Sequence, residues 1–140
     1  HLFNPWWLVG FTDGEGCFHI DIQKNPSMAL GLQVQLQFTI TQHKNDVQLL
    51  HKFKNFFGCG LIRHYKNKDI VDYRVRHLGN INDVVIPFFE QYPLQSRKKI
   101  DFIKFRRVAL WITDGKHLTE KGLEKIIHLK SSGSKIESKS

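Results

Sequence analysis

Leu8-Val9-Gly10-Phe11-Thr12-Asp13-Gly14-Glu15-Gly16 reads as an apolar helical segment running into an acidic, glycine-rich end. Gly10 and Gly14 stand four apart and leave one helix face without side chains, where a second helix backbone can come close. Glu15 lies just past that contact. If two copies of the helix cross, two carboxylates meet at one point. Mg²⁺ takes hard oxygen ligands, keeps several waters and needs only one or two protein carboxylates beside phosphate. The chemistry implied is a shared metal site acting on phosphate. An exposed carboxylate ending a helix is the plainer alternative, but the dipole at a helix C-terminus favours cations, which sets Glu15 apart.

Composition agrees. The chain has 140 residues, 41% hydrophobic and 12% aromatic, which suits one globular domain with a real core. Lys and Arg number 21 against 13 Asp and Glu, a net charge of +8 that favours a polyanionic partner, nucleic acid first. A membrane surface is the rival, yet no apolar run reaches the length of a span. Cys17 and Cys59 lack metal-ligand spacing and read as buried thiols in a reducing compartment. The eight histidines offer no zinc spacing on one helix, and no nucleophile–base pair or phosphate loop is present. No signal peptide is visible, and a chain starting at His1 reads as trimmed or as half of a longer one.

The elements that must hold these residues can be read in order. Asn4-Pro5 is a helix start, with Trp6, Trp7, Leu8 and Phe11 as apolar mass and a stop near Asp13-Gly14. Phe18, Ile20 and Ile22 alternate with His19, Asp21 and Gln23. After a turn at Asn25-Pro26, Leu32 to Ile40 alternate with Gln33, Gln35, Gln37, Thr39 and Thr41. Asn45 or Asp46 caps a helix ending at Phe57-Gly58. Strands are expected at 60–66 and 70–76 with a turn at Asn67-Lys68, then a helix within 82–92 bent or broken at Pro87. Helices from Ser96 to about Ile112 and from a Thr119 cap to about Lys130 complete the domain, 1–130, and leave a flexible C-terminal tail, 131–140. The fold class is α+β: an αββαββα order with an antiparallel four-stranded sheet and helices on one face. The aromatic pairs Trp6-Trp7, Phe56-Phe57 and Phe88-Phe89 have the helical spacing of core packing rather than of base stacking.

The sheet's other face carries amides, hydroxyls and arginines rather than the Lys/Glu mix of an ordinary solvated sheet. By parity it presents His19, Asp21, Gln23, Gln33, Gln35, Gln37, Thr39, Arg63, Tyr65, Asp72, Arg74 and Arg76. An antiparallel ribbon can lie in the major groove with such side chains on base edges: Gln suits adenine, Arg suits guanine, Asp accepts from cytosine. Lys24, Lys66 and Lys68 sit at turns, where phosphates are the expected contact.

Leu8–Gly16 resembles the signature of the LAGLIDADG homing endonucleases. The likeness extends to Thr39-Ile40-Thr41-Gln42-His43-Lys44, Tyr92-Pro93-Leu94 and Leu118-Thr119-Glu120-Lys121-Gly122-Leu123-Glu124-Lys125-Ile126, and so covers nearly the whole chain. The resemblance implies a LAGLIDADG-type domain that cleaves both strands of a long, near-palindromic or asymmetric DNA site with Mg²⁺, for which Mn²⁺ or Ca²⁺ can substitute in binding. It implies that Glu15 binds metal with help from the Gly14 carbonyl, that Asp13 supports the helix end, and that Gln42 and Lys98 act around the scissile phosphates. A solvated basic run is the plainer reading of Arg97-Lys98-Lys99, and Arg97 or Lys99 could take the role of Lys98. Some relatives carry a basic residue where this chain has Asp46, for which helix capping is the better reading. The motif helix, through Leu8, Gly10, Phe11 and Gly14, would pair with a second copy in a homodimer or with a second LAGLIDADG domain. An organelle, mitochondrion or chloroplast, is implied as the compartment. The alternative function is an intron maturase that binds RNA without cutting, or a catalytically idle half.

Overall fold

Asn4 starts the first helix: its side-chain oxygen accepts the Trp6 backbone N–H at 2.9 Å, and Pro5 occupies the first helical position. The computed structural model describes residues 4–139, with side chains through Ser132. Helix α1, Pro5–Glu15, carries Gly14 inside its last turn and ends two residues later than expected, at Gly16. There the backbone turns extended and its N–H donates to the Thr12 carbonyl. A Cβ at Gly16 would stand 2.6 Å from the Thr12 Cγ2, so only glycine allows this helix to pass directly into a strand.

The strands are β1 (Gly16–Lys24), β2 (Leu32–His43), β3 (Leu61–His64) and β4 (Ile70–Val75), antiparallel in the order β1-β2-β4-β3. β1 pairs with β2 from Gly16↔Ile40 to Lys24↔Leu32. β4 pairs with β2 only from His43↔Ile70 to Phe38↔Val75, so the Leu32 half of β2 has β1 as its one sheet neighbour. Helix α2 covers Val47–Phe57 and ends at left-handed Gly58. Asp46 precedes it but makes no side-chain cap bond; the lead-in turn Lys44–Asp46 is capped instead by the His43 ring, whose Nδ1 accepts the Asn45 N–H. The capping role expected of Asp46 is thereby corrected.

After β4 the chain enters α3 (Leu78–Asn80), a π-helical turn (Ile81–Val85) and α4 (Ile86–Gln91) without leaving right-handed helical backbone. Pro87, expected to bend or break the helix, does not break it. It sits in the first turn of α4, where its missing N–H costs least, and the widened turn before it satisfies Ile86 by a bond to the Ile81 carbonyl. Helix α5 covers Lys98–Thr113. Helix α6, Glu120–Lys139, begins where Thr119 accepts the Gly122 N–H, and it runs past the end expected near Lys130. The tail expected at 131–140 falls mostly on residues whose side chains, with all of Ser140, lie outside those described.

The apolar face of the sheet (Leu36, Phe38, Ile40, Val71, Tyr73, Val75) packs on Leu50, Phe53 and Phe57 of α2, Phe88 and Phe89 of α4, and Phe102 and Phe105 of α5. Phe18 of β1 joins Phe38, Phe89, Phe102 and Phe105 at centroid distances of 5.1–5.5 Å. The paired aromatics are thus mostly core, though Phe56 and Trp6 remain exposed. Gly60 is required where β3 begins: its φ is +96°, and a Cβ would lie 2.5 Å from the Tyr73 ring, whose hydroxyl donates to the Cys59 carbonyl. The polar side chains lie on the sheet's opposite face.

Candidate metal end and nucleic-acid interface

Helix α1 is held from one side only. Leu8 is 0% exposed and belongs to this chain's own core, so it does not line an outward interface, contrary to expectation. Phe11 is half-buried against Trp7 and Phe53. The open stripe is Trp6, Gly10 and Gly14: Trp6 is 49% exposed, and a Cβ on either glycine would meet nothing within 4 Å. These glycines are not required by any contact among the described residues. A bare helix face with nothing against it is the geometry needed for close approach by another helix.

Asp13 fastens the end of this helix to the segment before α5. Its carboxylate accepts the Gln95 N–H at 3.0 Å, the Ser96 N–H at 2.9 Å and the Ser96 hydroxyl at 2.6 Å. Partial burial pushes its pKa up, but these hydrogen bonds and the charge of Lys98 outweigh it and hold the carboxyl below the usual aspartate value. Asp13 is therefore committed to structure, and Lys98, at the first position of α5, is brought to the same end of the molecule as Glu15. Gln42 lies two residues along β2 from Ile40, the partner of Gly16, so it also flanks the α1–β1 junction. Its amide donates to the Thr41 carbonyl at 2.8 Å.

Glu15 itself is exposed. Among the described residues no three His, Cys, Asp or Glu side chains come together as a metal site. The Glu15 carboxylate and the carbonyl of Gly14, one of the last four helix carbonyls, which have no intrahelical partner, are hard oxygens of the kind that Mg²⁺ or Ca²⁺ takes.

On the sheet, register places the polar set on one face as parity requires: His19 beside Gln37, Asp21 beside Gln35, Gln23 beside Gln33, Thr39 beside Arg74, Arg63 beside Asp72. They are not equally available. Asp72 is 2% exposed, and Arg63 grips both its oxygens, Nε at 3.0 Å and Nη2 at 2.7 Å, while the Tyr65 hydroxyl donates to it at 2.8 Å. The expectation that Asp72 reads a base is corrected: its acceptors are consumed internally. Thr39 is likewise buried, within 3.1 Å of the His19 ring. Asp21 accepts from the Gln37 amide, whose oxygen receives Arg74 at 3.4 Å, so three strands share one polar chain. Gln33 accepts from Asn25. Burial, and repulsion from Arg63 and Arg76, push the Arg74 pKa down, whereas the bond to Asp72 pushes Arg63 up.

Gln35, Arg74 and Arg76 line an open groove of about 470 Å³ with His77 and Asn80. Gln23, Lys24, Lys66, Lys68 and Arg76 are exposed at the strand ends and turns. Sequence reasoning did not find Cys17, Leu61 or Ile70 on this face, although register places them there, and Cys17 is exposed rather than buried. No helix among the described residues is long and apolar enough to cross a membrane.

The model of a family described as LAGLIDADG endonuclease matches residues 8–109. A probable intron-encoded endonuclease of Neurospora crassa is 40% identical over 126 residues, covering 90% of this chain and 26% of that protein. Among solved structures, the homing endonuclease I-TnaI superposes with a TM-score of 0.87 at 42% identity, over 92% of this chain and 86% of that one. I-SmaMI, bound to uncleaved DNA target in the presence of calcium ions, superposes at 0.89 with 36% identity, over 91% of this chain and 44% of that one. The chain thus spans about a quarter of the length of the first curated relatives it matches, 26% and 24%.

Proposed function

The chain belongs to the LAGLIDADG endonuclease family, and from that premise we propose that it is one domain of a homing endonuclease that cuts both strands of a specific DNA site with a divalent metal. The observation that carries this reading is the exposed Glu15 at the end of a helix whose glycine face is bare. Two such ends meeting would give two carboxylates over two scissile phosphates. Bound there, Mg²⁺ would lower the pKa of an attacking water and stabilise the leaving oxygen. Glu15 and the Gly14 carbonyl hold the ion. Gln42 orients water, and Lys98, fixed near Asp13, stabilises the charge that develops on the phosphate. Each site cuts one strand and cohesive ends result.

The DNA lies along the polar sheet face. Gln23, Gln35, Arg74 and Arg76 read base edges, and Lys24 and Lys66 meet phosphates. His19, Asp21, Gln33, Gln37 and Thr39 shape this face through the contacts they make with one another and with Asn25 and Arg74.

The partner across α1 is a second copy or a second LAGLIDADG domain. The coverage of I-TnaI and of I-SmaMI supports the first and the second arrangement respectively. Calcium with I-SmaMI and its DNA supports divalent-metal use here; Mg²⁺ as the cleaving ion follows from the hard-oxygen chemistry of Glu15 and is part of the proposal. Relatives in ND4 and cox1 introns support an organellar compartment. An RNA-binding maturase without cleavage has less support, because the metal carboxylate is intact. Incubating the protein with a randomised DNA-site library in Mg²⁺ or in EDTA tests the reading: selective, Mg²⁺-dependent double-strand cutting is expected. Glu15→Gln should abolish it while sparing binding, and cutting by that variant would overturn the metal assignment.

A further inference from the structure

The Arg63–Asp72–Tyr65 cluster changes what Tyr65 can offer a ligand. Its hydroxyl donates to Asp72 at 2.8 Å and lies 3.1 Å from Arg63 Nη2, which donates to it. Both polar valences of the phenol are therefore spent within the protein. Burial of Asp72 beneath Arg63 makes this arrangement hard to exchange for a contact to solvent or DNA, since releasing the hydroxyl would leave a desolvated carboxylate short of a donor. Tyr65 nevertheless stays 38% exposed, with the Arg63 guanidinium over its ring, 5.4 Å from the centroid. Tyr65 also continues the β3–β4 pairing through its N–H bond to the Ile70 carbonyl at 3.0 Å. The alternation that places Arg63 and Asp72 on the polar face places Tyr65 and Ile70 there too, and Ile70 is 37% exposed. Two exposed apolar groups thus stand side by side on a face otherwise made of amides and charges.

We propose that Asp72 is a positioning residue that silences the Tyr65 hydroxyl, so that the Tyr65 ring and Ile70 together recognise the 5-methyl group of a thymine in the major groove. This rests on the DNA-endonuclease reading above. The thymine methyl is the one apolar feature of the major-groove base edges and is read by apolar side chains. A tyrosine with a free hydroxyl would accept polar partners on any base. With the hydroxyl tied to Asp72, only the methyl is rewarded.

The test replaces each thymine in turn by deoxyuridine, which lacks only the methyl, in the site recovered from library selection. Binding and cleavage are then measured with the full chain. One position per half-site should weaken by about fourfold, the change expected for one buried methyl-sized group. Tyr65→Ala and Ile70→Ala should lose that difference, binding the thymine and deoxyuridine sites equally and more weakly than the native chain binds the thymine site. Tyr65→Phe, which keeps the ring, should preserve it. Asp72→Asn should lose it together with preference at the adjoining position, leaving distant positions unchanged, which a purely structural defect would not do. No uridine-sensitive position, sensitivity that survives Tyr65→Ala, or sensitivity lost in Tyr65→Phe would overturn the proposal. Failure to select or cut any site would overturn instead the endonuclease reading, and the proposal with it.

Discussion

Asp13→Asn should separate the tether at the end of α1 from the carboxylate beside it. In the native chain one carboxylate receives three donors from Gln95 and Ser96. Asparagine keeps one acceptor, but its amide nitrogen can point a donor at the Gln95 N–H. Hydrogen bonds to a charged group contribute about 1.5–3 kcal/mol each when protected from water. This segment is exposed, and released donors find water, so the loss should be about 1–2 kcal/mol rather than the sum. With a urea slope of about 2 kcal/mol/M, the unfolding midpoint should fall by about 0.5–1 M at neutral pH. Because the folded carboxyl titrates below its ordinary 3.8, its contribution is complete above that value and is lost as pH falls through the lower folded value. The gap between native and variant should therefore close on acidification below about pH 4. Cleavage should slow as well, since the segment that holds Lys98 beside Asp13 loses its anchor. Equal midpoints at neutral pH, or a gap that widens in acid, would refute the reasoning.

Gly10→Leu should not lower the midpoint, because a Cβ there meets nothing within 4 Å among the described residues and leucine is the better helix former, yet it should abolish self-association or domain pairing and hence cleavage. An intact dimer in the ultracentrifuge would remove α1 as the interface. Arg74→Ala should relax base preference at one position per half-site by about 1–3 kcal/mol, as read by a site library. A uniform loss across sequences would make Arg74 a phosphate contact instead.

The strands were legible because period two carries both type and face: Phe18 to Gln23 and Leu32 to Thr41 fall in the structure as their alternation requires. Availability within that face was not legible. Alternation places Asp72 and Arg63 together but says nothing of the bidentate grip that removes Asp72 from any ligand. Leu8 shows the same limit on a helix. α1 is apolar nearly all round, so spacing does not separate the face toward its own core from the face toward a partner; the two glycines mark only the latter. The π turn at Ile81–Val85 has no sequence period of its own, and Pro87, read as a break, is absorbed by it. Asp46 has the chemistry of a cap, but the turn ahead of α2 hands the task to His43.

The unequal pairing of β2 has a mechanical consequence. From Phe38 to Ile40 it is clamped between β1 and β4, while from Leu32 to Gln37 it is half of a two-stranded ribbon with β1. Such a ribbon twists more readily than a wider sheet. The molecule is therefore a cantilever, stiff at the root where Glu15 sits and compliant toward the tip at Asn25.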